Sequence, residues 1–290
     1  MEPGLALTAA TNFSYEALAL LVNRAYADYF LPIWLDAERF AQMCQEEDVA
    51  LAHSVVAMVE GDVVGTALLS RREDCGWLSG VGVLPLWRRK GIARQMVRYL
   101  QRRAGEIGLT HLLLEVLEQN DAAFALYERL GFHWRRDFLV LTSEAGYFTP
   151  APLPAEVQPA PPATLLADYV RLHEVEASWQ RALPTLWHRL GSLQGLGYHE
   201  AGELVGYVLY DPQRHHQAVH DLAVRPTHPR RLEIAQTLLE AMHASRPHVG
   251  GYVVNLPADD PLLAAFARLH YRIWHRQCEL IWNVPRSAGV

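Results

Sequence analysis

Apolar residues recur at helical spacing over residues 14–30, where Leu18, Leu21, Val22, Ala25, Tyr26 and Tyr29 share one face. Ser14 stands at a capping position, and Leu31-Pro32 predicts the end of this helix. Asp36 opens a second amphipathic run that continues to Cys44. The period then changes to that of strands. Ser54–Val59 and Val63–Ser70 read as a hairpin joined at Glu60-Gly61-Asp62, and Trp77–Val83 as the strand after it. Pro85 cannot donate to a sheet ladder, so it marks where that strand stops. Helical spacing returns with Ile92, Met96, Val97 and Leu100, separated by Gln95, Arg98, Gln101 and Arg102. Leu112–Val116 predicts another strand and Ala122–Leu130 a short helix. Phe138–Thr142 is expected to close the sheet of this first half.

Residues 149–162 carry too many prolines to pack as helix or strand and read as a semi-rigid linker. Beyond it the pattern repeats. Gly202-Glu203-Leu204-Val205-Gly206 echoes Gly61-Asp62-Val63-Val64-Gly65, and Leu222-Ala223-Val224-Arg225-Pro226 echoes Val81-Gly82-Val83-Leu84-Pro85, both at an offset of 141. The chain therefore reads as two copies of one fold, residues 1–148 and 163–290.

Between the Trp77–Val83 strand and the helix after it, Arg88, Arg89, Lys90 and Gly91 fill a short turn. A helix N-terminus presents free backbone N–H groups and a positive dipole end, and a glycine lets the main chain approach an anion closely. The turn is a candidate phosphate site, with a basic surface turn before an ordinary helix as the plainer alternative. Arg88-x-x-Gly91-x-Ala93 resembles the pyrophosphate loop of the GNAT superfamily of acyl-CoA-dependent N-acetyltransferases. The downstream block is similar to that family's strand, Asn and Tyr…Gly-Phe ending: Leu112–Val116, Asn120, then Tyr127-Glu128-Arg129-Leu130-Gly131-Phe132. The resemblance implies an α/β chain of α+β type, two tandem GNAT folds, each a mixed, mostly antiparallel sheet flanked by helices.

It also implies an N-acetyltransferase that moves an acetyl group from acetyl-CoA to a primary amine by direct attack in a ternary complex. Backbone groups from Arg89 through Lys90, Gly91, Ile92 and Ala93 would hold the pyrophosphate, with the Arg88, Arg89 and Lys90 side chains adding charge. Val81 and Val83 would meet the pantetheine arm, and Asn120 would hydrogen-bond it. Tyr127 is the candidate general acid for the leaving thiolate, or simply one aromatic of a buried stripe with Phe124 and Leu130. Glu115 is the candidate base, with a solvent-facing strand residue or a loop cap as alternatives; Glu73 and Asp74 are poorer choices. The acceptor, a small-molecule amine or a peptide N-terminus, would meet Tyr26, Tyr29, Phe30 and Trp34, with Asp36 nearby. That cluster can equally be a packed corner between two helices.

In the second copy, allowing one inserted residue, Glu233 takes the place of Gly91 and Phe266 that of Tyr127, while Asn255 is read as persisting. Unit charges ~4 Å apart interact by roughly 4 kcal/mol at an effective dielectric of 20, so a carboxylate in the turn opposes a diphosphate. Residues 1–148 are thus expected to be catalytic and residues 163–290 a degenerate, structural or substrate-shaping domain.

The net charge of −6 argues against a general nucleic-acid role. Cys44, Cys75 and Cys278 suggest neither a disulfide framework nor a zinc site, and His216 and His220 lie in a stretch where their spacing does not converge, so no metal is expected. The N-terminus lacks the features of a signal peptide and no stretch has ~20 consecutive apolar residues, so a cytoplasmic protein without a membrane partner is expected. Monomer and homodimer both remain open. The rival reading is a catalytically idle acyl-CoA-binding sensor or scaffold.

Overall fold

The computed structural model describes residues 4–31 and 33–285. Contacts divide the chain into two units, Met1–Arg135 with Cys278–Val290, and Arg136–Gln277.

The first unit contains β1 (Leu5–Ala9), α1 (Tyr15–Ala25), α2 (Ala37–Glu46), β2 (Val55–Val59), β3 (Asp62–Arg72), β4 (Cys75–Val83), α3 (Ile92–Glu106), β5 (His111–Leu117) and α4 (Asp121–Arg129). The strands lie in the order β1-β2-β3-β4-β5. Pairs from β1 to β4 are antiparallel, while β4 and β5 are parallel. Glu60 and Gly61 turn the β2–β3 hairpin at φ 51° and 93°, left-handed values that match the twist of adjoining strands. One core packs Ile92, Met96, Val97 and Leu100 of α3 against Leu112, Leu114 and Val116 of β5. A second packs Leu18, Leu21 and Val22 of α1 on Phe40, Val56 and Leu68. The first helix ends at Ala25, five residues before the expected limit; the chain turns at Tyr26, and Tyr29 N–H donates to its carbonyl. Pro32, expected to break that helix, lies outside the described residues.

The chain passes into the second unit within β6 (His133–Ser143). There follow β7 (Val157–Pro159), α5 (Pro162–Leu166), α6 (Tyr169–Leu172), α7 (Leu183–His188), β8 (Gln194–Glu200), β9 (Glu203–Pro212), β10 (His216–Val224), α8 (Arg231–Ala244), β11 (Gly250–Pro257), α9 (Leu263–Arg268) and β12 (Arg272–Asn283). The strand order is β6-β11-β10-β9-β8-β7. Ala201 and Gly202 repeat the left-handed hairpin turn, at φ 51° and 81°.

Phe138–Thr142 does not close the first sheet. Phe138, Leu139, Leu141 and Thr142 pair with Pro257, Leu256, Val253 and Tyr252 of β11 in the second unit. Cys278, Leu280 and Trp282 of β12 instead pack in the α3 core of the first unit. The unit boundaries therefore fall at Arg135 and Gln277, and not in the proline-rich stretch. Phe138 to Leu141 is a continuous apolar run buried on both faces, a pattern that marks a central strand and leaves its pairing partner open.

Candidate active site

The site begins with a ladder that stops early. β4 and β5 pair only at Cys75–His111, Gly76–Leu112 and Trp77–Leu113, although β4 continues to Val83 and β5 to Leu117. A bulge at Ser79 shifts the register against β3, from Leu69↔Leu78 to Leu68↔Gly80. Past Trp77 the β5-facing edge of β4 leaves that ladder and its backbone groups become available to other partners.

Beyond β4 lies a 3-10 turn, Pro85–Trp87, and then the basic turn. Arg89 and Gly91 are both left-handed, at φ 64° and 81°, and Gly91 is the N-cap of α3 with no side chain capping the helix. Left-handed residues on either side of Lys90 turn successive N–H groups toward one side, a concave anion site backed by the helix dipole. The expected cradle, Arg89 to Ala93, spans these two left-handed residues and the first turn of α3.

Two of the basic side chains have partners within the first unit. Lys90 Nζ lies 4.4 Å from the centroid of the Trp87 ring. Arg88 turns away from the cradle. Its Nη1 and Nη2 hold the two carboxylate oxygens of Asp28 at 2.7 and 2.6 Å, Nη2 also donates to the Ala25 carbonyl at 2.9 Å, and Nε donates to the Val83 carbonyl at 3.1 Å. The hydrogen bond from Arg88 holds the Asp28 carboxyl below its ordinary range. Four of the five guanidinium N–H donors are thus engaged by Asp28, Ala25 and Val83.

Four of the expected residues meet beside the splayed edge. Val81 N–H donates to the Tyr26 hydroxyl at 3.1 Å. The Tyr26 and Tyr29 rings stand edge to face, centroids 5.0 Å apart. Asn120 caps α4, accepting from Ala123 N–H at 3.3 Å, and its side chain hydrogen-bonds Tyr29. Tyr127 is buried against Phe132, with centroids 5.7 Å apart. Burial first, then the neighbouring Tyr26 and Tyr29, push the Tyr127 hydroxyl far up, so its phenol stays protonated. Burial also raises Tyr26 and Tyr29. Phe30 packs edge-on to Tyr29 but is largely exposed, and Trp34 is 75% exposed. Asp36 serves as the N-cap of α2, accepting from Arg39 N–H at 2.8 Å.

Glu115 accepts a 2.5 Å hydrogen bond from Trp77 Nε1. It lies on the face of β5 opposite Leu114 and Val116, which pack in the α3 core. Ser79 is a residue that the sequence reading missed. Its hydroxyl is shielded from solvent at the bulge and has no hydrogen-bond partner among the described residues. A bulge leaves little trace in sequence.

The second unit repeats this frame with different side chains. The β10–β11 ladder also stops early, at Ala218–Tyr252. Here Arg181, itself buried, donates to the Val219 carbonyl at 3.0 Å. Asp221 accepts Leu222 N–H at 3.0 Å, the Tyr207 hydroxyl at 2.7 Å and His173 Nε2 at 3.1 Å. Ile234, Leu238, Leu239 and Met242 of α8 are buried as Ile92, Met96, Val97 and Leu100 are in α3, which aligns Glu233 with Gly91. Glu233 lies in the first turn of α8, so the left-handed opening has become helix. Phe266 sits at the Tyr127 position: Tyr271 N–H bonds its carbonyl as Phe132 N–H bonds that of Tyr127. Asn255 does not keep the place of Asn120. It lies within β11 and donates to Gln180 Oε1 at 3.0 Å, while the N-cap of α9 is Leu262.

Among the described residues, no group of three or more His, Cys, Asp or Glu could hold a metal ion, and no helix is long and apolar enough to cross a membrane.

Residues 19–132 and 164–271 each match the model of the Acetyltransferase (GNAT) family, and the chain belongs to that family. Its chemistry is therefore acyl transfer from an acyl-CoA. Solved structures share the fold at low identity. A GCN5-related N-acetyltransferase from Sphaerobacter thermophilus is 15% identical with a TM-score of 0.74, covering 100% of this chain and 99% of its own. A tandem GNAT protein from the clavulanic acid biosynthesis pathway is 17% identical with a TM-score of 0.69, covering 98% and 99%. A putative acetyltransferase from Pyrococcus horikoshii is 15% identical with a TM-score of 0.66, covering 98% and 91%. The chain is a tandem GNAT protein of two repeats.

Proposed function

We propose that the first unit is an acetyl-CoA-dependent N-acetyltransferase acting on a primary amine, and that the second binds no acyl-CoA. The observation that carries this reading is the contrast between the two helix N-termini. Gly91 opens α3 in the left-handed conformation, whereas α8 runs helically through Glu233. The pyrophosphate is held by main-chain amides from Arg89 to Ala93, with Arg89 and Lys90 as the local cations. The acyl arm lies along β4 past Trp77, where the Tyr26 hydroxyl leaves Val81 N–H to the thioester oxygen.

The amine attacks the thioester carbon, the tetrahedral oxyanion collapses, and the C–S bond breaks to release a thiolate. Tyr127 gives its proton to that sulfur. A raised phenol pKa makes this donation favourable only as negative charge develops there. Glu115 takes the proton lost by the amine, directly or through water, with the Trp77 indole fixing its carboxylate. Tyr26, Tyr29, Phe30 and Trp34 wall the acceptor side. No cysteine enters these motifs, which favours direct attack over an acyl-enzyme.

The test is release of free thiol from acetyl-CoA over a panel of polyamines, amino acids, aminoglycosides and peptides. Turnover on one class is expected. Tight acetyl-CoA binding with no turnover on any amine favours the idle sensor.

A further inference from the structure

We propose that Arg88 is a positioning residue for the acceptor wall, acting through Asp28 and Ala25, and that its side chain does not hold the pyrophosphate. This rests on the acyl-transfer reading above and deepens it. Arg88 stands at the first position of the motif whose main chain forms the anion cradle, yet its guanidinium makes four hydrogen bonds, all directed elsewhere. Three of them grip the segment that leaves α1. Two go to Asp28, in the planar fork that matches a carboxylate, and one to Ala25, a carbonyl at the negative end of the helix. The fourth goes to Val83, the last residue of β4.

That geometry ties the end of α1 to the end of β4. Tyr26 follows Ala25 directly, and its hydroxyl is the acceptor for Val81 N–H. Tyr29 follows Asp28 and holds Asn120. Releasing the fork frees both tyrosines, Tyr26, which touches the splayed edge, and Tyr29, which stands against it. Stability alone is a weak reason for the pair: the Arg88 and Asp28 side chains are 40% and 55% exposed, and exposed pairs contribute about 0–1 kcal/mol.

In the second repeat Arg230 pairs with Glu200 at the end of β8, and the next residue, Arg231, holds Glu174 just past α6 at 2.7 Å and the Pro226 carbonyl at 3.1 Å. An arginine–acid tie to the segment after the first helices is thus present in both repeats, while the tyrosines it would position, Tyr26 and Tyr29, belong to the first.

The experiment compares full-length wild type, Asp28→Asn, Arg88→Gln and the double variant. Amide exchange is measured over the β4 peptide containing Val81, with calorimetric acetyl-CoA affinity and steady-state rates on the best amine. Exchange at Val81 should rise about tenfold in each single variant, as a local contact is lost without global unfolding. Acetyl-CoA affinity should change less than about threefold, while acceptor KM rises about tenfold. The double variant should match the singles, since both remove one interaction. Unchanged exchange at Val81 overturns the proposal. So does Arg88→Gln weakening acetyl-CoA about tenfold while Asp28→Asn does not, because the guanidinium then serves the diphosphate. Should wild type turn over no amine, the functional reading fails, while exchange and affinity still decide the role of Arg88.

Discussion

Gly91 and Glu233 occupy the same register against equivalent buried faces of α3 and α8, yet Gly91 is a left-handed cap and Glu233 an ordinary helical residue. On the proposed reading two obstacles close the second cradle, a charge and a turn of helix. Restoring the small residue alone leaves the helix in place and leaves Arg181 on the Val219 carbonyl. Glu233→Gly is accordingly expected to create no second acetyl-CoA site in a binding titration. A second bound equivalent in that variant would show that the carboxylate was the whole obstacle.

Tyr127 is buried among apolar groups with Phe132 across its ring, so phenylalanine fits in its place. Tyr127→Phe should keep acetyl-CoA affinity and thermal stability while kcat falls about a hundredfold, the usual scale of a lost general acid. Because burial and the neighbouring tyrosines raise this phenol, wild type should show no loss of rate from its ionisation up to pH 10. An undiminished kcat in the variant would reduce Tyr127 to packing.

Lys90 is the single lysine of the chain and lies in the anion cradle over the Trp87 ring. An amine-reactive reagent followed by peptide mass analysis therefore reports on one side chain in the site. Saturating acetyl-CoA should slow labelling of Lys90 severalfold. Equal labelling with and without acetyl-CoA would place the diphosphate elsewhere.

His243 of α8 is fully buried, stacked on Phe148 at 3.6 Å between centroids and 2.8 Å from the Tyr271 hydroxyl. Burial lowers its pKa to about 4. The folded state refuses a proton that the unfolded chain accepts near its ordinary value of about 6.5, so this contribution is complete above pH 6.5 and lost as pH falls toward 4. The loss amounts to roughly 3 kcal/mol at the acid end. Melting of the second unit should therefore weaken through that window, and His243→Gln should flatten the dependence. A melting temperature constant from pH 7 to 4.5 would contradict it.

Features built within a few consecutive residues were legible from sequence. The cradle is one, since a basic turn, a glycine and a helical period suffice to define it. The hairpins at Gly61 and Gly202 are others. Contacts set by distant partners were not. Arg88 reads from sequence as a phosphate ligand, and its pairing with Asp28, sixty positions away, leaves no local signal. The exchange of β6 and β12 is hidden because an apolar run marks a buried strand without naming the strand it pairs with. Asn255 looked like Asn120 by kind and approximate place, but the loop between β11 and α9 is longer than that between β5 and α4, which shifts the cap to Leu262. Arg181 and Asp221, both buried at β10, carry no local motif at all.

The most direct measurement is calorimetric titration of acetyl-CoA into wild type and Gly91→Glu. One equivalent per chain is expected in wild type, with affinity reduced at least about a hundredfold in the variant, from charge repulsion and loss of the left-handed cap together. Two equivalents in wild type, or undiminished affinity in Gly91→Glu, would contradict a single site built on that turn.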